Sequence, residues 1–106
     1  MMETPNLEYI EKLARGDQAI RKILIEVIKE EFPAEKIAYY KSLKSKEYKK
    51  IEENVHKIKH KISILGLEKS YKIANEFEHN LRALTLDKAP DFEKILIVIS
   101  NYLKTI

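Results

Sequence analysis

There is no cysteine in this 106-residue chain. Disulfides and thiolate metal sites are thereby excluded, and the chain suits a reducing, cytoplasmic setting. Glycine occurs only twice and proline three times, too little turn chemistry for a sheet of short strands, so the composition favours helices. Arginine, the residue of bidentate base and phosphate recognition, occurs three times, and the net charge is a modest +3. Nucleic acid is not an expected partner on that basis. The longest unbroken apolar run, Ile95 to Ile99, is far short of a membrane span. The start Met1-Met2-Glu3-Thr4-Pro5 lacks the basic-then-apolar order of a secretory signal, so no membrane partner is expected either.

What is present is an alternation of apolar and charged residues, 44% hydrophobic and 35% charged. The length fits one domain over residues 1–106 with a single core. The run Lys41 to Lys50 contains five lysines, interspersed in the way of an exposed helix face. No internal repeat and no low-complexity segment interrupts the chain. With no linker at either end it reads as a free-standing monomer.

The apolar spacing predicts six helices. Asn6 caps a short first helix carrying Leu7, Ile10 and Leu13, which Gly16 ends. Asp17 caps a second, with Ile20, Ile23, Leu24, Val27 and Ile28 inward. Pro33 interrupts it after Phe32 and starts a third through Ile37, Tyr40 and Leu43, which breaks near Ser45. The fourth bears a plain seam, Tyr48, Ile51, Val55, Ile58, Ile62 and Leu65, ending at Gly66. The fifth carries Leu67, Tyr71, Ala74, Phe77 or Glu78, Leu81 and Leu84. After a loop from Thr85 to Pro90, the sixth carries Phe92, Ile95, Ile99, Tyr102 and Ile106, with Ile97 and Val98 broadening its buried face. Short loops between amphipathic helices make neighbours antiparallel. The expected fold is all-α, an antiparallel up-down four-helix bundle with additional short N-terminal helices.

The fourth helix holds the candidate chemistry. Against its seam, His56 and Lys59 are expected to point away from the core, with Glu52 one turn before and Ser63 one turn after. A neutral imidazole is a nitrogen nucleophile able to hold a phosphoryl group as a labile phosphoramidate. A lysine one turn on supplies charge for the phosphoryl oxygens. His-x-x-Lys by itself is common in a lysine-rich helix and is compatible with an inert exposed pair.

The wider pattern resembles histidine-containing phosphotransfer (HPt) domains. In that family a phosphorylatable histidine is followed by a lysine three residues on and a glycine ten on, here His56, Lys59 and Gly66, with Ile58 and Leu65 at the usual apolar positions. Gly16-Asp17, Phe32-Pro33 and the apolar–Glu pair Phe77-Glu78 extend the resemblance over most of the chain. The resemblance implies six helices around a four-helix bundle and no enzymatic activity or cofactor of its own. His56 would take a phosphoryl group from the aspartate of one receiver domain and pass it to another, in a two-component phosphorelay. Partners would be response-regulator receiver domains or a hybrid histidine kinase, and the receiver would bring the magnesium. Lys59 would steady the phosphate and Gly66 would end the helix. One position departs: the residue after the lysine is usually glycine, and here it is His60. Its ring obstructs docking, or donates a hydrogen bond to phosphate, or is a second phosphorylation site.

Two other readings start from the same residues. Glu52, His56 and His60 recur every four residues, and a His pair of that spacing chelates zinc or copper. A full site needs further ligands, and nothing in the sequence brings His79, the remaining histidine, nearby. The alternative is an interaction module without phosphorylation, with Tyr39 and Tyr48 as contact residues if they are not core. An independent enzyme has no support, for there is no phosphate loop and no paired acid and base.

Overall fold

The computed structural model describes residues 3–106. Met1 and Met2, part of the start read above for a signal sequence, lie outside the described residues. Those residues form five helices and no strand: α1 (Glu8–Ala14), α2 (Gln18–Ser45), α3 (Tyr48–Ile64), α4 (Glu68–Arg82) and α5 (Ala89–Leu103). No helix among them is long and apolar enough to cross a membrane. α3 packs most extensively against α2 and α4, while α5 lies against α4 and α2.

The expected break at Pro33 does not occur. α2 runs 28 residues straight through it, about 42 Å at 1.5 Å per residue, nearly the 44 Å long axis of the molecule. An internal proline loses one backbone hydrogen bond and costs about 3 kcal/mol. Packing on both sides offsets this: Ile28 and Phe32 before it and Tyr39 after it are buried. Glu31 and Glu35, two residues either side of the proline, both pair with Lys61 of α3 at 3.0 and 3.2 Å. Tertiary contacts therefore hold one helix where local sequence favours two.

The inward face of α2 also differs from expectation. Ile25, Ile28, Phe32, Tyr39 and Ser42 are buried, whereas Ile20, Ile23, Val27, Ile37 and Tyr40 are exposed. α2 has apolar residues on more than one face, and spacing alone does not choose among them. Tyr39 is core, in edge contact with Phe77 and Phe92, and is not a contact residue; Tyr48 is half-buried. The α3 seam, by contrast, is as expected: Ile51, Val55, Ile58, Ile62 and Leu65 are fully buried. In α5, Phe92, Ile95, Leu96 and Ile99 are buried, and Ile97 is exposed. Leu84, expected on the α4 seam, lies beyond the helix end with φ 61° and is exposed. The lysines from Lys41 to Lys50 are all exposed.

The helix ends are set by a few local signals and two distant ones. Asp17 caps α2, its carboxylate accepting from the N–H groups of Ala19 and Ile20. Asn6 Oδ1 accepts from Glu8 N–H at 3.1 Å, just ahead of α1, whose own cap position is Leu7. Leu67, at the cap position of α4, supplies no capping side chain; Glu3 does so instead, accepting from Ser70 N–H at 2.8 Å. Burial alone would raise the Glu3 carboxyl, but the hydrogen bonds from Lys69 and Ser70 outweigh it and hold the group below its usual value. Asn6 N–H donates to the Leu65 carbonyl at 2.9 Å, tying the N-terminal segment to the end of α3. Gly66 makes that tie possible: its φ is 74°, and a Cβ there would meet Asn6 Nδ2 at 2.5 Å.

Candidate functional site

α3 and α4 run antiparallel in a register that three contacts define. Arg82 Nε donates to Glu52 Oε2 at 2.6 Å, His56 Nδ1 lies 2.9 Å from Glu78 Oε1, and Lys59 Nζ donates to Asn75 Oδ1 at 2.8 Å. This register brings a carboxylate from α4 beneath the histidine of α3.

His56 is on the surface as expected, its side chain 56% exposed. Lys59 is not. It is 8% exposed, so the expectation that it points away from the core is corrected. Its ammonium donates to Glu78 Oε2 at 2.7 Å and to Asn75 Oδ1, and lies 5.3 Å from the centre of the Tyr71 ring. The signal was present in the spacing: Lys59 falls four residues after Val55 and three before Ile62, itself on the seam. A charge in that position must be paired and hydrogen-bonded to be tolerated, and Glu78 and Asn75 do this.

Glu78 is the residue that reading α3 alone misses. It is 5% exposed, and its two oxygens are divided between His56 and Lys59. An acidic residue at a core-facing position of α4 (Leu67, Tyr71, Ala74, Glu78, Leu81) was the available signal. A carboxylate paired with an ammonium only accepts hydrogen bonds, so His56 Nδ1 must carry the proton. In the neutral ring Nε2 then holds the free lone pair.

Around this ring lies a cleft of about 430 Å³, lined by Glu52, Lys57, Glu78 and Arg82 among others. Glu52 is turned to Arg82 and away from a ligand role with the histidines. No group of three or more His, Cys, Asp or Glu residues converges among the described residues. His60, one turn on, is exposed, and its ring stands edge-on to that of His56, centroids 4.8 Å apart at 70°. Ser63, a further turn along, borders a separate cleft with Tyr71 and Lys72 of α4 and Tyr9 and Lys12 of α1. The arrangement therefore presents one oriented imidazole, backed by a buried Glu–Lys pair, with Lys57 and Arg82 at its rim. Compared with known protein families, curated proteins and solved structures, the chain matches none of them.

Proposed function

We propose that this chain is a histidine phosphocarrier of the HPt type, with α2 to α5 forming an antiparallel four-helix bundle and His56 holding the phosphoryl group. The observation that supports it most is the Nδ1–H contact to Glu78 at 2.9 Å, which puts the lone pair of the neutral ring on Nε2, in a side chain 56% exposed. In the forward step the Nε2 lone pair attacks the phosphorus of a receiver's aspartyl phosphate. The N–P bond forms, the P–O bond to aspartate breaks, and the carboxylate leaves. The ring becomes cationic while its Nδ1 proton stays against Glu78, whose charge stabilises the product. The reverse step returns the phosphoryl group to a second receiver. The receiver supplies its magnesium and most of the positioning; the carrier needs no cofactor.

In this reading Lys59 acts through Glu78, holding the carboxylate in place, and the cations at the phosphate are Lys57 and Arg82. Docking falls to exposed apolar side chains, which are concentrated on α1 and the N-terminal part of α2: Tyr9, Leu13, Ile20, Ile23 and Val27. Clusters of that kind mark interaction surfaces. The same surface serves a non-phosphorylated interaction module; the orientation of His56 favours the carrier.

The test is incubation with a panel of phosphorylated receiver domains, scoring acid-labile, alkali-stable phosphate on wild type, His56→Gln and His60→Gln. Label that disappears only with His56→Gln is the expected result. Uptake by His56→Gln at the wild-type rate would remove the assignment, and loss only with His60→Gln would move it by one turn.

A further inference from the structure

The proximity of the two imidazoles on α3 has a chemistry of its own. A divalent transition metal binds an imidazole nitrogen at about 2.0–2.1 Å, which puts each ring centre about 3.2 Å from the ion. Two such rings have centres about 5.2 Å apart at a tetrahedral angle and about 4.5 Å apart at a right angle. The rings of His56 and His60 stand 4.8 Å apart, inside that interval. Both are exposed, so the two rings lie within reach of one ion on the same side of α3, one turn apart.

The second shell is already in place on one side. Metal-bound histidines typically donate their other N–H to a carboxylate, which fixes the tautomer and raises ligand basicity. Glu78 does this for His56 at 2.9 Å and is itself held by Lys59 at 2.7 Å. The ring of His60 makes no hydrogen bond to protein among the described residues, so either of its nitrogens is free to ligate.

We propose that His56 and His60 form a two-imidazole site for a divalent transition metal of the zinc, copper and nickel class. Imidazole selects these ions over magnesium and calcium, which require oxygen ligands. With only two protein donors the remaining positions belong to water, which leaves the ion exchangeable. A bound ion occupies the Nε2 lone pair that phosphoryl transfer uses. Metal and phosphoryl group therefore exclude one another, a consequence that rests on the carrier reading, whereas the site itself does not.

The experiment is isothermal titration calorimetry with zinc chloride alone on wild type, His56→Gln, His60→Gln and His79→Gln, each first checked for wild-type helicity by circular dichroism. One ion per chain is expected, with affinity falling at least tenfold in His56→Gln and in His60→Gln and unchanged in His79→Gln. Binding by His60→Gln within twofold of wild type would overturn the site. Phosphoryl uptake is then measured with and without zinc. Slowing in wild type but not in His60→Gln supports exclusion and separates it from any effect of zinc on the receiver. Equal rates in wild type at saturating zinc would overturn exclusion. If the metal-free protein accepts label from no receiver, the carrier reading fails, and the calorimetry alone decides the metal site.

Discussion

Replacing Glu78 by Gln preserves the side chain's volume and leaves an oxygen for His56 Nδ1–H, but removes the charge that balances Lys59. The ammonium of Lys59, a residue 8% exposed, is then held by Asn75 Oδ1 and the Tyr71 ring alone. Breaking a buried ion pair by removing one partner costs about 3–5 kcal/mol, whereas replacing both partners by apolar residues is often neutral or stabilising. The flexible lysine stem lets the ammonium relax toward water, so the lower end, about 3 kcal/mol, is expected here. In a domain of this size that lowers Tm by roughly 12 °C or more. The double variant Lys59→Met/Glu78→Leu should regain most of this loss. Thermal and urea unfolding followed by circular dichroism gives both values, and the two single variants complete a double-mutant cycle with a coupling of about 2–3 kcal/mol. If Glu78→Gln costs less than about 1 kcal/mol and the double variant is no more stable than the singles, the pair behaves as a surface salt bridge and the account of the site's rigidity is wrong. Phosphoryl uptake by the folded double variant separates stability from chemistry: it should stay low even as Tm recovers, because His56 loses the carboxylate that orients it.

Gly66→Ala meets both a left-handed φ and the Asn6 side chain, and should lose about 1–2 kcal/mol in denaturant unfolding; Asn6→Ala in the same background should restore only the steric part. Glu3→Ala removes the distant cap of α4 and should cost about 1 kcal/mol near neutral pH. Because the folded Glu3 carboxyl is held below its usual 4.5, its contribution is present above that value and fades as pH falls through the lower folded value, so Tm of wild type and variant should converge in acid. At the alkaline end, burial opposes the charge on Lys61, but its hydrogen bonds to Glu31 and Glu35 outweigh it and raise its value above 10.5. Burial, then Glu93, pushes the Tyr40 hydroxyl up from 10.0 to about 12. Both contributions are complete below these ordinary values and are lost as pH climbs toward the folded ones; a Tm series in that window should flatten in Lys61→Met/Tyr40→Phe. The Tyr39 hydroxyl is buried without a protein hydrogen-bond partner, so Tyr39→Phe should leave stability unchanged or raise it by about 1 kcal/mol; a loss above that would mean the hydroxyl is satisfied.

Periodicity in the linear chain fixed what depends on one helix at a time. The α3 seam from Ile51 to Leu65 was legible because apolar residues occupy one stripe only, and Asp17 and Gly66 mark their helix ends through local backbone chemistry. The exposure of His56 follows from the same stripe. α2 was less legible. Its apolar residues lie on several faces, and only the packing of α3 and α5 against it selects Ile25, Ile28 and Phe32 over Ile20, Ile23 and Val27. Pro33 likewise reads as a break because local propensity opposes it; the pairing of Glu31 and Glu35 with Lys61, residues distant in sequence, keeps the helix whole. The site divides in the same way. His56, Lys59 and His60 are neighbours along one helix, so their spacing is written in the sequence. The tautomer of His56, the burial of Lys59 and the part played by Glu78 are not, because each depends on the register of α4 against α3, which no single helix specifies.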